Sequence, residues 1–575
     1  MTTHKSNDRK MLSPYPFCIR FFTEMKALGV KEVIISPGSR NTPLVLSAHS
    51  VGLTTKVLID ERTAGFYALG NAKKNGTPCI LVCTSGTASA NYLPAVIEAN
   101  HAGVPMIICS ADRPPEQRQW GAGQTIDQVN LYGPNVRWSY DLPVAAEVDE
   151  MFARSIAVRS WERSVHGKGP VHLNWPFREP LEPNTEINLP EATVKPFEAS
   201  IDNLPSGRRL KELAQKHEKG LIIVGPNDLP NNVIQQICNF SKSASWPIIS
   251  DPGSQMRGGS FKDSPNIITT GEIICSSERF LHRLEQAEII INVGLTPTSK
   301  SYKNWLIKNP PVQQILVAPG TDWNDPANQV TEILEGNPFY VFSESATQIR
   351  PKSEWLSEWS NADALAVSTI RNSIKMEESE VSAIYSARMG IVDTTTIVLS
   401  NSMVIRDAEL AFLNEGKAFR TITNRGANGI DGIISTSIGV AHASVGKTLT
   451  VVGDVAATHD LGGFLAAKRL ETDLTVVIFD NGGGGIFSFL PISRTIETEV
   501  FEKFYETPPH AQIPEILNAA GISVEAPQTS FELTKAVTEG LDEGGLKVIW
   551  YQTNSKATEQ TFQKLRENFN NELLG

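Results

Sequence analysis

The residues best placed to do chemistry in this chain are Asp454 and Asn481. Asp454 comes after the apolar, β-rich run at 448–452, and Asn481 comes after the next such run, at 474–479. A helical pattern that begins near His459 separates the runs, so the segment is predicted to form a strand, a helix and a second, parallel strand. Because parallel strands end at the same edge of a sheet, we expect Asp454 and Asn481 to lie together, where open α/β sheets bind ligands.

One carboxylate, one amide oxygen and one loop carbonyl form a donor set that suits a magnesium ion. Mg²⁺ prefers hard oxygen ligands and commonly completes its shell with phosphate oxygens and water. The carbonyl is assigned to Gly483, within a glycine run at 482–485 that lets the backbone approach a phosphate closely. The pattern therefore predicts a magnesium–diphosphate site at Gly453, Asp454 and Asn481, although Asp and Asn at strand ends are equally typical of turns.

Length and composition describe a globular protein of several domains. The 575 residues correspond to roughly three or four domains of about 150 residues each. No apolar run reaches the roughly 20 residues of a membrane span, and the N-terminus lacks the apolar core of a signal peptide, so we expect a cytoplasmic protein without membrane association. The formal net charge of −11 argues against nucleic-acid binding. The six cysteines include no Cys-x-x-Cys pair and are expected to be reduced core residues.

Alternating apolar runs and turns divide the chain into three α/β segments, which predicts three doubly wound parallel-sheet domains. The expected domains are 1–190, 205–350 and 370–575, with a linker rich in Pro and Glu near 180–205. The expected strands are 32–36, 56–60, 78–83 and 105–111 in the first segment, which closes with the stretch 169–177. They are 221–224, 246–250 and 288–293 in the second segment, and 396–399, 448–452, 474–479 and 547–550 in the third.

Glu61 stands directly after the predicted strand at 56–60, on the carboxyl edge of the first sheet. An isolated glutamate at such a position is typical of a helix N-terminus, where it interacts favourably with the helix dipole. The alternative is that Glu61 takes part in a functional site. The turns around Glu61 carry further polar residues, and these turns decide between the two interpretations.

These turns resemble those of the thiamine-diphosphate-dependent enzymes. The stretches that carry the resemblance are SPGSRNTPL, DERTAGFYALG, TSGTASANYLPAVIEA, ADRPPEQRQWGAGQTIDQ, GDVAATHDLG and NGGGGIFSFLP. The resemblance covers nearly the whole chain and is weakest in its middle. It implies a pyrimidine-binding, a central and a diphosphate- and magnesium-binding domain, in that order. It also implies that the cofactor lies between the first domain of one subunit and the third domain of another, in a homodimer or a dimer of dimers.

Within these enzymes the chain is similar to a branch that acts in menaquinone or phylloquinone biosynthesis. That similarity implies thiamine-diphosphate-dependent decarboxylation of 2-oxoglutarate, with Mg²⁺ or Mn²⁺ as the metal. It further implies addition of the resulting succinic-semialdehyde carbanion to isochorismate. Glu61 would be the catalytic residue and would contact the pyrimidine N1′ of the cofactor. A buried glutamate with a raised pKa shares a proton effectively at neutral pH.

The same resemblance implies roles for the remaining candidate residues. Cofactor-binding roles would fall to Glu61, Ser402, Ile430, Gly453, Asp454, Asn481, Gly483, Gly484 and Ile486, and the metal ligands would be Asp454, Asn481 and Gly483. Substrate-binding roles would fall to Ser39, Arg40, Arg113, Gln124, Lys300, Ser402, Arg406, Arg425, Phe487 and Leu490. Both substrates are dicarboxylates, which suits a site rich in Arg and Lys.

The chain departs from the family pattern at two positions. Gly482 stands where many of these enzymes have a second Asn, so this position contributes no side-chain ligand. Gly123 stands where Asn is usual before Gln124, which is expected to loosen one contact with a substrate carboxylate.

Two other functions compete with this interpretation, and a third has no support in the sequence. A different thiamine-diphosphate-dependent decarboxylase or carboligase, similar to acetolactate synthase, would need fewer cationic side chains. A protein that binds the cofactor without catalysis would not need Glu61, Asp454 and Asn481 together. A nicotinamide or flavin protein is not supported, because the stretch LIIVGPND has one glycine and lacks the Gly-x-Gly-x-x-Gly pattern.

Overall fold

The chain folds into two compact units, Met1–Ala199 and Ser200–Gly575. The structure, a computed structural model, describes residues 13–183, 188–195, 204–261, 264–284, 286–318, 323–345, 349–376, 378–509 and 512–573. Parts of the predicted linker, 184–187 and 196–203, lie outside the described residues. All six cysteines are buried and free, as their apolar surroundings predict.

Unit 1 contains a sheet of six parallel strands in the order β2-β1-β3-β4-β6-β5. Its central strands are buried along their whole length, as is typical of a parallel sheet covered by helices on both faces. The strands are β1 Glu32–Ile35, β2 Thr54–Val57, β3 Cys79–Cys83, β4 Met106–Asp112, β5 Trp138–Asp141 and β6 Pro170–Pro176. The helices are α1 Tyr15–Ala27, α2 Thr42–Ser50, α3 Glu61–Asn75, α4 Thr87–Ala90, α5 Leu93–Ala102 and α6 Glu150–Val165.

The second strand of unit 1 ends earlier than the sequence predicts. β2 stops at Val57, so a short loop precedes Glu61. Asp60 in this loop is the N-cap of α3, and its carboxylate accepts hydrogen bonds from the backbone N–H groups of Arg62 and Thr63. Because Asp60 already caps the helix, the side chain of Glu61 is not needed for that role.

Unit 2 contains two further sheets, each of six parallel strands. Their orders are β12-β11-β10-β7-β8-β9 and β14-β13-β15-β16-β18-β17. The first of them consists of β7 Gly220–Val224, β8 Ile248–Ser250, β9 Ile267–Ile268, β10 Ile289–Val293, β11 Gln313–Ala318 and β12 Glu332–Glu335. The second consists of β13 Thr395–Leu399, β14 Phe419–Thr423, β15 Thr448–Gly453, β16 Leu474–Asp480, β17 Val524–Glu525 and β18 Leu546–Gln552.

Helices pack on both sheets of unit 2, and one continuous apolar core includes residues from both sheets. The helices beside the first sheet are α7 Leu204–Lys216, α8 Asn231–Ala244, α9 Gly271–Ile274, α10 Glu278–Arg283, α11 Lys300–Lys308 and α12 Pro338–Glu344. The others are α13 Glu354–Met376, α14 Glu380–Met389, α15 Met403–Ala411, α16 Ile433–Ala443, α17 Asp454–His459, α18 Leu461–Arg469, α19 Thr498–Phe501, α20 Ile513–Ala519, α21 Ser530–Glu543 and α22 Ser555–Glu572.

The three parallel sheets confirm the predicted fold class. The helix after β15 begins earlier than the sequence predicts, at Asp454 itself. It ends at His459, and Asp460 separates it from α18. Asp454 therefore stands at a helix N-terminus, where the backbone dipoles favour negative groups such as phosphate. None of the helices in the described ranges is both long and apolar enough to cross a membrane.

Candidate active site

Most of the predicted site residues lie at the carboxyl edge of the second sheet of unit 2, which is the third sheet of the chain. Strands β14, β13, β15 and β16 are neighbours in that order and run parallel, so the loops that follow them meet at one edge. These strand ends and loops carry Arg425 and Ile430 after β14, Ser402 and Arg406 after β13, Gly453 and Asp454 at β15, and Asn481, Gly483, Gly484, Ile486, Phe487 and Leu490 after β16.

The side chain of Asp454 is buried and only partly satisfied. Its Oδ1 accepts a hydrogen bond from the backbone N–H of Val455 over 2.8 Å, whereas Oδ2 has no partner among the residues that the structure describes. Burial raises the pKa of Asp454 to about 7, with contributions in the same direction from Asp480 and Glu380 and an opposing one from the Val455 hydrogen bond. A nearby cation would stabilise the ionised form of this carboxyl group.

Asn481 presents a second buried oxygen at this edge. Its Nδ2 donates to Glu380 Oε1 over 2.8 Å, and its Oδ1 has no hydrogen-bond partner in the described ranges. Buried oxygens without a donor are costly unless a cation satisfies them. Asp454 Oδ2 and Asn481 Oδ1 therefore fit the requirements of a magnesium ion.

The cation would depend on ligands other than a cluster of acidic side chains. No group of three or more His, Cys, Asp and Glu residues is placed to hold a metal within the part of the chain that the structure describes. One carboxylate and one amide oxygen leave most of the octahedral positions of Mg²⁺ to backbone carbonyls, water and phosphate oxygens. A metal site that also binds a diphosphate requires such open positions for the phosphate oxygens.

The glycine loop after β16 is shaped by close backbone contacts. Gly483 has φ +132°, and a Cβ at this position would lie 2.2 Å from the carbonyl oxygen of Glu506. The carbonyl of Gly483 accepts from the N–H of Gly485 over 2.9 Å, which leaves a second lone pair for a metal. The N–H of Gly484 donates to Glu506 O over 2.6 Å. At Gly453, by contrast, a Cβ would meet no described atom within 4 Å, so this edge is open to a ligand.

Two arginines lie close together among the loops at this edge of the sheet. Arg406, on α15, is half-buried and donates from Nη1 to the carbonyl of Ser402 over 2.5 Å. Arg425 donates from Nη1 to Asn401 Oδ1 over 3.1 Å. Burial lowers the pKa of Arg406, and the positive charge of Arg425 lowers it further. Two guanidinium groups that repel each other in this way would be stabilised by an anionic ligand.

Asn401 connects the loops that carry these arginines and was not predicted from the sequence. Its Nδ2 donates to the carbonyl oxygens of Asn424, over 2.7 Å, and Gly429, over 2.6 Å. The adjacent Ser402 has φ +65° and ψ −126°, a conformation that non-glycine residues seldom adopt. Such a conformation persists where surrounding contacts enforce it, as they commonly do at functional sites.

The apolar candidates are partly buried. Ile430 follows Gly429 in the loop held by Asn401, and Ile486 packs against the core of unit 2. Phe487 contacts Tyr505 edge to face, with ring centroids 5.7 Å apart. Leu490 remains 38% exposed. Ile430, Phe487 and Leu490 therefore retain surface that a ligand can cover.

Lys300 lies at the first position of α11, beside the first sheet of unit 2, where it is exposed. The neighbouring hydroxyls of Ser299 and Ser301 donate to the buried Glu272, over 2.7 and 2.6 Å. The negative charge of Glu272 also acts on Arg406 and raises its pKa against the effect of burial. The start of α11 and Arg406 therefore have Glu272 as a common neighbour.

In unit 1, Glu61 lies at the carboxyl edge of the sheet as the first residue of α3. Burial raises its pKa, the hydrogen bond from its own backbone amide lowers it, and Asp60 raises it. Its negative charge reaches Cys83, at the end of β3, and Tyr92, and raises the pKa of both groups beyond the effect of burial. Glu61 is thus a half-buried carboxyl group whose pKa lies above its ordinary value, which favours its protonated form.

The same edge of unit 1 carries a second pair of arginines. Arg40 is buried and donates to the carbonyl of Phe177 over 3.1 Å and to the exposed carboxylate of Glu179 over 2.9 Å. Arg113 donates to the carbonyl of Gly123 over 3.1 Å. Burial lowers the pKa of Arg113, and the charge of Arg40 lowers it further. Because the guanidinium group of Arg40 already pairs with the exposed carboxylate of Glu179, it can hold a carboxylate ligand.

Gln124 and Ser39 are the remaining candidates of unit 1. Gln124 has φ +56° and is exposed, and it exchanges two hydrogen bonds with Ser85. Its amide nitrogen donates to Ser85 O over 3.0 Å, which leaves the amide oxygen for other partners. Ser39 is exposed beside Arg40, and its carbonyl accepts from Thr42.

Glu380 and Asp407 are buried acids near this site that the sequence did not reveal. Burial raises the pKa of Glu380, against hydrogen bonds from Asn481 and Thr553. Burial also raises the pKa of Asp407 well above its usual range, and the charge of Glu380 adds to that shift. Both lie on helices, α14 and α15, that are far along the chain from Asn481, so no local motif connects them to it.

Family profiles match three successive parts of the chain. The N-terminal TPP-binding domain of thiamine pyrophosphate enzymes matches residues 20–131. The middle domain of the same enzymes matches residues 195–393, and their C-terminal TPP-binding domain matches residues 411–550. These matches cover most of the chain, and the first and third contain most of the site residues described above.

Curated relatives align along almost the entire chain. A 2-succinyl-5-enolpyruvyl-6-hydroxy-3-cyclohexene-1-carboxylate synthase from Geobacillus kaustophilus is 35% identical over 546 residues, covering 92% of each chain. A synthase of the same name from Listeria monocytogenes serovar 1/2a is 34% identical over 580 residues, covering 97% of this chain and 98% of the relative.

A solved structure with the same fold is the benzoylformate decarboxylase from Polynucleobacter necessarius. It superposes with a TM-score of 0.67 over 93% of this chain and 98% of that chain, at 16% sequence identity. Likeness at this level of identity establishes the fold. The relatives and the family profiles together establish that the chain is a thiamine-diphosphate-dependent enzyme and belongs to the 2-succinyl-5-enolpyruvyl-6-hydroxy-3-cyclohexene-1-carboxylate synthase family.

Proposed function

We propose that this enzyme decarboxylates 2-oxoglutarate and adds the remaining four-carbon unit to isochorismate. The products would be 2-succinyl-5-enolpyruvyl-6-hydroxy-3-cyclohexene-1-carboxylate and CO₂, a step of menaquinone biosynthesis. The observation that carries the substrate assignment is the presence of two arginine pairs, Arg406 with Arg425 and Arg40 with Arg113, at the sheet edges that hold the candidate cofactor residues. Two dicarboxylates supply the negative charges that these pairs would bind.

The metal-binding role is proposed for three groups of unit 2. Asp454 Oδ2 and Asn481 Oδ1 are buried and lack donors within the described residues, and the carbonyl of Gly483 completes the set. These oxygens would hold Mg²⁺, or Mn²⁺ in its place, and the cation would neutralise negative charge on the cofactor diphosphate. Gly453 and Gly484 would lie against the diphosphate, and Ser402, Ile430 and Ile486 would contact the rest of the cofactor.

Glu61 is the proposed catalytic residue. When bound, thiamine diphosphate supplies a carbon nucleophile and an acceptor for the electrons released on decarboxylation. Glu61 would hold a proton in a hydrogen bond with N1′ of the pyrimidine. A carboxyl group with a raised pKa is suited to this exchange.

Substrate carboxylates would be bound by the basic residues. We assign this role to Arg40, Arg113, Lys300, Arg406 and Arg425, with Ser39, Gln124 and Ser402 as hydrogen-bonding partners and Phe487 and Leu490 as apolar walls. We further propose a homodimer, or a dimer of dimers, in which one subunit supplies Glu61 and its partner the metal-binding residues.

A direct assay tests the proposed reaction. Purified enzyme with thiamine diphosphate, Mg²⁺, 2-oxoglutarate and isochorismate should consume isochorismate, followed by its absorbance, and omission of any one component should stop the reaction. Pyruvate should not replace 2-oxoglutarate. Formation of acetolactate from pyruvate, without consumption of isochorismate, would instead show an acetolactate-synthase-like enzyme.

Replacement of Arg406 or Arg425 by alanine should weaken the reaction with at least one substrate. Loss of a charged hydrogen bond to a carboxylate costs about 1.5–3 kcal/mol, which corresponds to a fall in kcat/KM of roughly 10- to 150-fold. The measurement is the initial rate with each substrate varied in turn. Arg283→Ala, which removes an exposed arginine paired with Glu358, is the matched control and should leave kcat/KM unchanged. Unchanged kinetics in both site variants would contradict the anion-binding role.

A further inference from the structure

We infer that Glu380 positions Asn481 as a metal ligand by fixing the orientation of its side-chain amide. The inference rests on the proposed function, because it gives a role to a residue outside the metal-binding set. Glu380 lies 101 positions before Asn481 in the chain, and its Oε1 accepts from Asn481 Nδ2 over 2.8 Å. Through this contact the residue would act on the metal without touching it.

Glu380 is held rigidly at the start of α14. The helix is capped by Ser379, whose hydroxyl accepts from the backbone of Ser382 in a capping box. The backbone N–H of Glu380 donates to Thr558 Oγ1 over 3.1 Å. Its side chain is 4% exposed and points to the ends of the strands, where Thr553 Oγ1 also donates to Oε1 over 3.2 Å. Ser379 performs the capping, so the carboxylate of Glu380 is available for Asn481.

The carboxylate decides which way the amide of Asn481 faces. An asparagine side chain has a donor end and an acceptor end, and an ionised carboxylate can only accept. The nitrogen of Asn481 must therefore face Glu380, which directs Oδ1 away from it. Oδ1 is buried and has no hydrogen-bond partner within the described ranges. If the amide were reversed, Asn481 Oδ1 would face Glu380 Oε1, and Asn481 Nδ2 would face the metal in place of an oxygen.

Packing behind Asn481 leaves little room for another orientation. A Cβ at Gly485 would lie 2.8 Å from Asn481 Nδ2, so the glycine backbone lies close against the amide on one side. Glu380 contacts the same nitrogen from the start of α14. Residues that orient a metal ligand in this way typically change metal affinity by about 10- to 100-fold when they are removed.

The first experiment measures the binding of Mn²⁺ to the full-length enzyme at a fixed, saturating concentration of thiamine diphosphate. The signal of free Mn²⁺ in electron paramagnetic resonance gives the Kd. Glu380→Ala should raise the Kd by about 10- to 100-fold, whereas Glu380→Gln should remain within a few-fold of wild type, because the glutamine oxygen still accepts from Asn481. Asp363→Ala removes a buried carboxylate bonded to Thr269 and Thr270 and is the control; its Kd should not change.

Three outcomes separate this inference from the proposed function. If Asp454→Ala binds Mn²⁺ as tightly as wild type, the proposed metal site is wrong and the inference falls with it. If Asp454→Ala loses binding but Glu380→Ala retains it, only the positioning role is wrong. If Glu380→Gln is as weak as Glu380→Ala, the negative charge matters and the orientation of the amide does not.

A reversed pair tests the contact even if Glu380→Ala does not fold. Asn481→Asp places two carboxylates against each other and should weaken Mn²⁺ binding. Addition of Glu380→Gln to that variant restores one donor and one acceptor with the roles exchanged, and should recover at least about tenfold in affinity through the coupling of residues in contact. Strictly additive effects of the two substitutions would overturn the inference.

Discussion

The Glu61→Gln variant is expected to bind thiamine diphosphate and to lose about 100- to 10,000-fold in kcat, the usual contribution of a positioned general acid or base. Glutamine has nearly the same shape and can still form a hydrogen bond to the pyrimidine, so affinity for the cofactor should change little. It cannot exchange a proton, which is the property that burial prepares in Glu61 by raising its pKa. Cofactor affinity by calorimetry and kcat with saturating substrates separate these two effects.

A neighbouring substitution controls for effects on the helix and on local charge. Asp60→Asn removes a negative charge next to Glu61 but retains an effective N-cap for α3. It should keep kcat within a few-fold of wild type. A Glu61→Gln enzyme with nearly normal turnover would show that the carboxyl group does not move a proton in the reaction.

The second large effect is expected for Asp454→Ala, which should abolish magnesium-dependent binding of thiamine diphosphate. The variant removes the only carboxylate in the proposed ligand set, so the loss should exceed the roughly 100-fold that indirect contacts to a metal produce. Calorimetric titration with the cofactor, with and without Mg²⁺, measures it. Asp473→Ala, which removes an exposed aspartate paired with Lys447 just before β16, should bind like wild type.

The metal-free form of an Asp454 variant offers a second, independent measurement. In the wild type this buried carboxylate has one oxygen without a partner among the described residues and lies near Asp480 and Glu380. Replacement by asparagine removes the repulsion between these groups, so metal-free Asp454→Asn should unfold at a higher temperature than the metal-free wild type. Wild-type stability would gain from added Mg²⁺ and cofactor, and the variant would not. A lower Tm for the metal-free variant would contradict this account of the site.

Local patterns were sufficient for the parallel architecture and for the edge on which chemistry is expected. Alternating strands and helices require crossover connections of one hand, and these bring the ends of β15 and β16 together. Asp454 and Asn481 could therefore be assigned to one edge from their positions after apolar runs. The strands with a weaker apolar pattern were not predicted. Trp138–Asp141 and Phe419–Thr423, for example, contain too many polar residues to form an apolar run.

The boundaries beside the site depended on side-chain contacts that no run of residues displays. The sequence placed a helix start near His459, whereas the helix begins at Asp454. It extended the strand before Glu61 to Asp60, whereas the strand ends at Val57 and Asp60 caps the helix. Short segments between a strand and a helix are compatible with either state, and tertiary packing selects one of them.

The amino-acid sequence alone determined the fold class, because hydrophobic periodicity and turn chemistry act over a few residues. Its resemblance to the thiamine-diphosphate-dependent enzymes supplied most of the candidate site residues. Only the tertiary structure showed that Glu380 holds the amide of Asn481 and that Asn401 joins the loops of Ser402 and Arg425. These contacts join residues that are 23 to 101 positions apart. Such partners are chosen by the packing of whole helices against a sheet, and that packing leaves no local signal in the chain.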